Sequence, residues 1–292
     1  MKKIVKNKNT NKNAKPKLKI KLHKDFVILL ILVIILISLL PFYIFKIKDI
    51  IYSNSFANYV SDTYSNYINP IFSIEKIVYY TSAFVTDNSE DNNFQNINIG
   101  EYTDIAVYIN NTRSSDELND ENTISELYID NIKVESKTNK GQCLLGYKNP
   151  YYFATYRGIE APANGRIDFN IITTNKDNKE SAYNTPSFYQ DCSNPISLGY
   201  INKDIVTNFE IANTDTLAIN GSILKKANIP TEDLAFNMSF KIHIKNNKNE
   251  EFICNVNRPV LNGDFASGIY DGYITTQFTP DEGTYQFIKV SS

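Results

Sequence analysis

The chain has 292 residues, with 30 basic and 32 acidic side chains, two histidines, three cysteines and no tryptophan. Two histidines exclude a histidine-rich zinc site, and there is no Gly-rich phosphate loop and no G-x-S-x-G elbow. Lysine outnumbers arginine 26 to 4 and Asn, Ile and Tyr are abundant, a bias toward A/T-rich codons that points to a low-GC bacterial genome.

Residues 1–25 carry ten lysines and one acid, Asp25, a balance of +9. They have little to bury and are expected to form a disordered basic tail. Residues 26–45 (FVILLILVIILISLLPFYIF) carry no charge. A helix of this length spans roughly 30 Å, the thickness of a bilayer's hydrocarbon core. Lysines beside such a helix stay cytoplasmic, so the N-terminus is expected inside and the rest exported. After Phe45, 20 basic and 31 acidic residues remain, a balance of −11. The apolar run exceeds the ~7–15 residues of a signal-peptide core. The nearest small-residue site, Ser55-Phe56-Ala57, is too distant for cleavage, so the run reads as an uncleaved anchor. The tail suits anionic lipid headgroups, at about 1 kcal/mol per lysine near the surface. It has no Phe, Tyr, Trp or Arg that could stack on a base, and nucleic acid is not expected as a partner.

Residues 46–70 read as a juxtamembrane stalk. Phe56, Tyr59, Val60, Tyr64, Tyr67 and Ile68 recur near helical spacing, and Asn69-Pro70 ends the pattern. From Ile71 onward the hydrophobic period is two. Strands are expected over 75–85, 102–109, 125–134, 151–156, 166–173, 196–200, 205–211, 216–224, 237–245, 251–256, 268–277 and 284–290. Phe240-Lys241-Ile242-His243-Ile244-Lys245 alternates strictly, the mark of a sheet with one dry and one wet face. Asp271-Gly272 predicts a two-residue hairpin turn, and Asn164-Gly165, Asn220-Gly221 and Asn262-Gly263 are weaker versions. Pro230 to Leu234 predicts one short helical turn. The sum is an all-β ectodomain, an antiparallel β-sandwich of Ig-like or jelly-roll-like type. The polar loop 176–190 suggests two sub-domains, 71–180 and 181–292. One large sandwich with an excursion is the alternative.

Cys143, Cys192 and Cys254 all fall in the exported part, where a disulfide can persist, and an odd number leaves one thiol over. Alternation puts Cys254 with Phe252 and Val256 on a buried face; Cys143 and Cys192 are the pair a bridge would join. His243, the only histidine past the anchor, reads as an exposed strand residue on the face of Lys241 and Lys245. Two acidic loops, Asp87-Asn88-Ser89-Glu90-Asp91-Asn92 and Asp116-Glu117-Leu118-Asn119-Asp120-Glu121, read first as solvated loops. They are also the candidates for Ca²⁺, although neither has EF-hand spacing; no other cofactor is expected. Tyr147, Tyr151, Tyr152 and Tyr156 crowd one stretch with Phe153 and Asn149-Pro150. Core packing accounts for such a cluster, and an exposed aromatic patch for a partner is the functional alternative.

The strings Cys192-Ser193-Asn194-Pro195-Ile196-Ser197-Leu198-Gly199-Tyr200 and Asn220-Gly221-Ser222-Ile223-Leu224 resemble single-anchor, β-rich exported proteins of low-GC Gram-positive bacteria. The resemblance covers roughly the last hundred residues and includes no catalytic motif, so it implies an address without an activity. The expected function is non-enzymatic: a single-pass cell-membrane protein displaying a β-sandwich to an envelope protein or wall polymer. The alternatives are a pilin-like subunit, against which Asp25-Phe26 and Leu30 stand where that family has its processing site and glutamate, and a hydrolase using carboxylates. Orientation is testable on intact cells. A membrane-impermeant maleimide should label Asn247→Cys above the wild-type background, and Lys12→Cys only after permeabilisation; the reverse pattern overturns the topology.

Overall fold

The computed structural model describes residues 24, 28–41, 43–44, 46–48, 51, 70–91, 93–111, 119–138, 140–173, 185–212, 218–260, 272–277 and 285–291. The chain divides into two compact units, Met1–Tyr59 and Val60–Ser292. The first contains helix α1, Ile28–Lys48, which is long and apolar enough to cross a membrane. Its Leu, Ile and Val side chains are exposed along its length. The basic tail (but for Lys24) and most of the expected stalk lie outside the described residues; Lys46–Lys48 prolong α1.

The second unit is mostly β. Its strands are β1 (Phe72–Asp87), β2 (Asn96–Asn111), β3 (Ile124–Ser136), β4 (Gln142–Lys148), β5 (Ile159–Glu160), β6 (Ile167–Ile172), β7 (Ser187–Tyr189), β8 (Ile196–Glu210), β9 (Phe236–Asn246), β10 (Glu251–Val260), β11 (Gly272–Gln277) and β12 (Ile288–Ser291). They form two six-stranded sheets, ordered β11-β1-β2-β8-β4-β5 and β12-β10-β9-β3-β6-β7. The pairings are antiparallel, apart from the parallel β6–β7 pair.

Alternation drives the layering. On β9 the inward series Phe236, Met238, Phe240, Ile242 and Ile244 is buried to 2% exposure or less. It meets Phe252, Cys254 and Val256 of β10 and, from the facing sheet, Phe72, Ile77, Ile105, Leu198 and Tyr200 in one continuous core. Tyr200 stacks on Phe236 across the sandwich at 3.7 Å, and Phe72 meets Phe252 edge-on at 5.5 Å. Past the main core, the inner face of the first sheet is covered by α2 (Ser222–Lys226) and a 3₁₀ turn at Thr231–Leu234. There Ile223, Leu224 and Leu234 bury Ile97, Ile99 and Ile205.

Both sheets take strands from both sides of position 180, and one core joins them. The two sub-domains expected from the polar loop are therefore replaced by a single unit: the described end of that stretch is strand β7, whose Phe188 belongs to the shared core. Other departures have local causes. The strand expected over 151–156 is a 3₁₀ turn, Pro150–Tyr152: proline removes a ladder donor, and Asn149 Oδ1 accepts the Tyr151 N–H at 2.9 Å. The strand expected over 216–224 gives way to α2, which Asn220 opens by accepting the N–H and hydroxyl of Ser222. The expected strands 196–200 and 205–211 fuse into β8. The polar stretch between them is a bulged region, with Asp204 at φ +57° and register shifts against β2, rather than a turn. Asn164-Gly165 does form its two-residue turn, with φ of +53° and +75° and Arg166 N–H donating to Ala163 O at 3.0 Å. The Asp271-Gly272 turn and Asn262-Gly263 fall largely outside the described residues.

A single core has a thermodynamic signature. Leu127→Ala in β3 and Phe252→Ala in β10 should each lower one and the same urea transition of this unit, by about 2–5 kcal/mol. Two separable transitions, each shifted by only one of the substitutions, would show two cores.

Candidate functional site

The site stands on the outer face of the first sheet. Phe84 of β1, Tyr102 of β2 and Ile201 of β8 form a small apolar cluster there, with Tyr80, Leu144 and Ile159 packed around it. After β4 the chain turns at Asn149-Pro150, crosses this cluster and returns as β5, pairing with β4 from which it came. The crossing is close. A Cβ at Gly146 would overlap the Glu160 carbonyl oxygen, and one at Gly199 would collide with Ile159.

A buried ion pair pins the crossing segment. Lys148, the last residue of β4, is 0% exposed, and its Nζ lies 2.7 Å from Asp104 Oδ1. The same ammonium donates to the carbonyl oxygens of Thr155 and, at 2.8 Å, Arg157. Asp104 Oδ2 accepts the Ala154 N–H at 2.6 Å, and Tyr102 Oη donates to Ala154 O at 2.9 Å. Ala154 sits at φ +60°, a left-handed conformation that side chains other than glycine adopt at a cost of about 1–3 kcal/mol. It is held there at both its N–H and its C=O. Burial is the largest influence on both charges: it pushes the Asp104 carboxyl above its usual range and the Lys148 ammonium below its own, while their mutual attraction opposes both shifts.

The pinned segment sorts the four tyrosines. Tyr151 is 75% exposed and meets Tyr152 edge-on at 5.1 Å. Tyr156 lies half-exposed in a stack on Phe84, at 4.8 Å and 14°. Tyr147 is placed elsewhere. Its side chain points from β4 into the core against Phe169, its hydroxyl donates to Thr185 O at 3.4 Å, and burial pushes its pKa up to about 12. The expected patch is thus Tyr151, Tyr152 and Tyr156 without Tyr147, since Tyr147 is on the opposite face of its strand from Lys148.

Two hollows flank the Phe84–Tyr156 stack. One, about 530 Å³, is lined by Phe84, Asn98, Tyr156, Arg157, Lys203 and Asp204 among others. The second, about 360 Å³, is apolar, with Phe84, Val85, Phe94, Tyr156 and Ile219 in its walls. The polar rim of the first is ordered: Asn98 Nδ2 donates to Asp204 Oδ1 at 2.9 Å, and Asn98 Oδ1 accepts the Asn208 N–H at 3.0 Å.

His243 corrects another expectation. It lies on the outward face of β9 as its spacing requires, yet is only 7% exposed. Tyr128 stacks on it at 4.3 Å, Nδ1 is 2.9 Å from Glu251 Oε1 and Nε2 is 3.1 Å from Asp130 Oδ1. Arg166 adds its guanidinium 3.5 Å from the Tyr128 ring centroid and pairs with Glu126 and Asp168. Cross-strand neighbours Tyr128 and Asp130 of β3 and Glu251 of β10 cover the imidazole.

Cys143, Cys192 and Cys254 are free thiols; Cys143 lies 3.3 Å from the Tyr200 hydroxyl and Cys254 is buried among apolar neighbours. In the first acidic loop Asp87 spends its carboxylate on its own turn, accepting the N–H groups of Ser89 and Phe94 and the Ser89 hydroxyl. The hydrogen bond from Ser89 is the main influence holding this carboxyl below its usual range. In the second, Glu121 pairs with Lys248 at 2.6 Å, and residues 116–118 lie outside the described set. Among the described residues, no group of three or more His, Cys, Asp or Glu could hold a metal ion. No protein-family model, curated protein or solved structure matches this chain.

The ion pair yields a prediction with a sign. Removing one partner of a buried pair strands the other charge, so Lys148→Met should cost about 3–5 kcal/mol near neutral pH. Asp104 already holds its proton more tightly folded than unfolded. That contribution is complete below its ordinary value of 3.8 and fades as the pH rises through the folded value. Without the ammonium the folded value rises further, so the penalty should shrink as the pH falls toward about 4. Asp104→Asn on the Lys148→Met background should recover much of the loss. Urea midpoints at both pH values check this, and a pH-independent penalty would contradict it.

Proposed function

We propose that this chain is a non-enzymatic, single-pass membrane protein whose exported β-sandwich binds another component of the cell envelope. Helix α1 is the anchor in this reading, with the basic tail inside against anionic lipid. The binding surface is the outer face of the first sheet, around Tyr151, Tyr152 and Tyr156. One observation carries the assignment: a segment with three exposed tyrosines is fixed over a hollow by a buried ion pair and a left-handed alanine. Rigid exposed aromatics beside a cavity supply contact area without an ordering cost on binding. Ordinary surface loops have no need of such fixation.

A photo-crosslinking residue at Tyr151 in the full-length chain, expressed in cells, tests the surface. Adducts are expected from that position and not from Asn247, in the β9–β10 turn of the other sheet. Equal or reversed yields would overturn the assignment. An adduct of twice the chain's mass would turn the reading toward self-assembly.

A further inference from the structure

The two hollows differ in chemistry, and the difference specifies a ligand. We infer that they form one bipartite site for an acidic protein segment carrying an apolar anchor residue. This rests on the surface assignment above and names the class of partner.

The hollow of about 360 Å³ offers Ala83, Val85, Phe94 and Ile219 around the Phe84–Tyr156 stack. Phe94 is 42% and Ile219 54% exposed, so two large apolar side chains face water at its rim. An apolar side chain seated there would take them out of water. The neighbouring hollow of about 530 Å³ shares Phe84 and Tyr156 with the first and adds Arg157 from the crossing segment and Lys203 from β8. Both cations are exposed, and neither belongs to an ion pair among the described residues. The one carboxylate in the lining, Asp204, accepts a hydrogen bond from Asn98. The residues after Phe45 carry a balance of −11, so two cations against one acid make this groove a positive spot on an acidic body. Because the hollows share the stack, an anchor in the apolar one places neighbouring residues of the same segment over Arg157 and Lys203. Tyrosine and arginine at the centre with a polar rim is the make-up of an interface hot spot.

The full-length chain in detergent micelles is titrated against fluorescent peptides followed by anisotropy. One peptide has a Phe-Leu centre flanked by aspartates and glutamates. Its counterparts replace the acids with lysines, or the Phe-Leu centre with Ser-Gly. The acidic apolar peptide should bind at least about tenfold more tightly than either counterpart, and more weakly as salt is raised. Arg157→Gln and Lys203→Gln should each weaken it several-fold and flatten its salt dependence, whereas Ile219→Ser should weaken it without changing that dependence. All three side chains are exposed, and unchanged urea midpoints would confirm intact variants. Equal binding of the acidic and lysine peptides, binding by neither, or preferential capture of a uronic-acid oligosaccharide would overturn the inference. If the Tyr151 crosslink survives such a failure, the surface stands and only the ligand class falls.

Discussion

Taking an ammonium and a carboxylate out of water costs several kcal/mol per ion unless every partner is fixed in place. The fold fixes them for Lys148 and Asp104. Asp104 stands on β2, a central strand held on both sides by long ladders, and Lys148 ends β4 two strands away. Their charges meet over the sheet only because the chain after Lys148 folds back and supplies the carbonyl oxygens of Thr155 and Arg157. The pair thus has little value as a stability device by itself. Its effect is to make one path of the crossing segment far better than any other, and the exposed tyrosines inherit that definition.

Beneath the pair lies a sheet asked to be dry on both faces over part of its area. The inner face packs into the sandwich core and, past its edge, under α2 and the 3₁₀ turn. The outer face carries the Phe84 cluster and needs a cover of its own. The crossing segment is that cover, and it fits because glycine at 146 leaves room for the Glu160 carbonyl and glycine at 199 for the Ile159 side chain. Cover and candidate site are one piece of chain, so a substitution that loosens the packing also disorders the surface.

How much of this could be read from the residues follows from which faces are wet. Strands with one wet face announce themselves: β9 and β10 alternate, and their limits fall within a few residues of expectation. Strand β4 does not, because Leu144 and Leu145 are apolar on opposite faces and the sheet buries both sides there. Lysine is almost never fully buried without a partner, and the partner of Lys148, Asp104, lies 44 residues away in sequence, so no local pattern marks it. The tyrosine cluster was visible as composition, but Tyr147 and Tyr151 are separated by one turn of chain that decides which faces the core. Alternation along β9 places His243 on its outward face, as the structure has it. Its burial depends on Tyr128 and Asp130, both on β3 and more than a hundred residues away in sequence.

Strand β1 runs unbroken from Phe72, just after the chain becomes part of the sandwich, to Asp87 beside the candidate site. At ~3.3 Å per residue, Phe84 stands about 40 Å along it from Phe72. A flexible linker of the same residues would give a fluctuating reach that shrinks with every turn of the chain. Here the spacing is a hydrogen-bonded ruler, laced to β2 along its length and to β11 over its middle. Lengthening or shortening the chain before Phe72 would leave that distance untouched, so the spacing of the candidate site from the start of the sandwich is a property of the sheet's register alone.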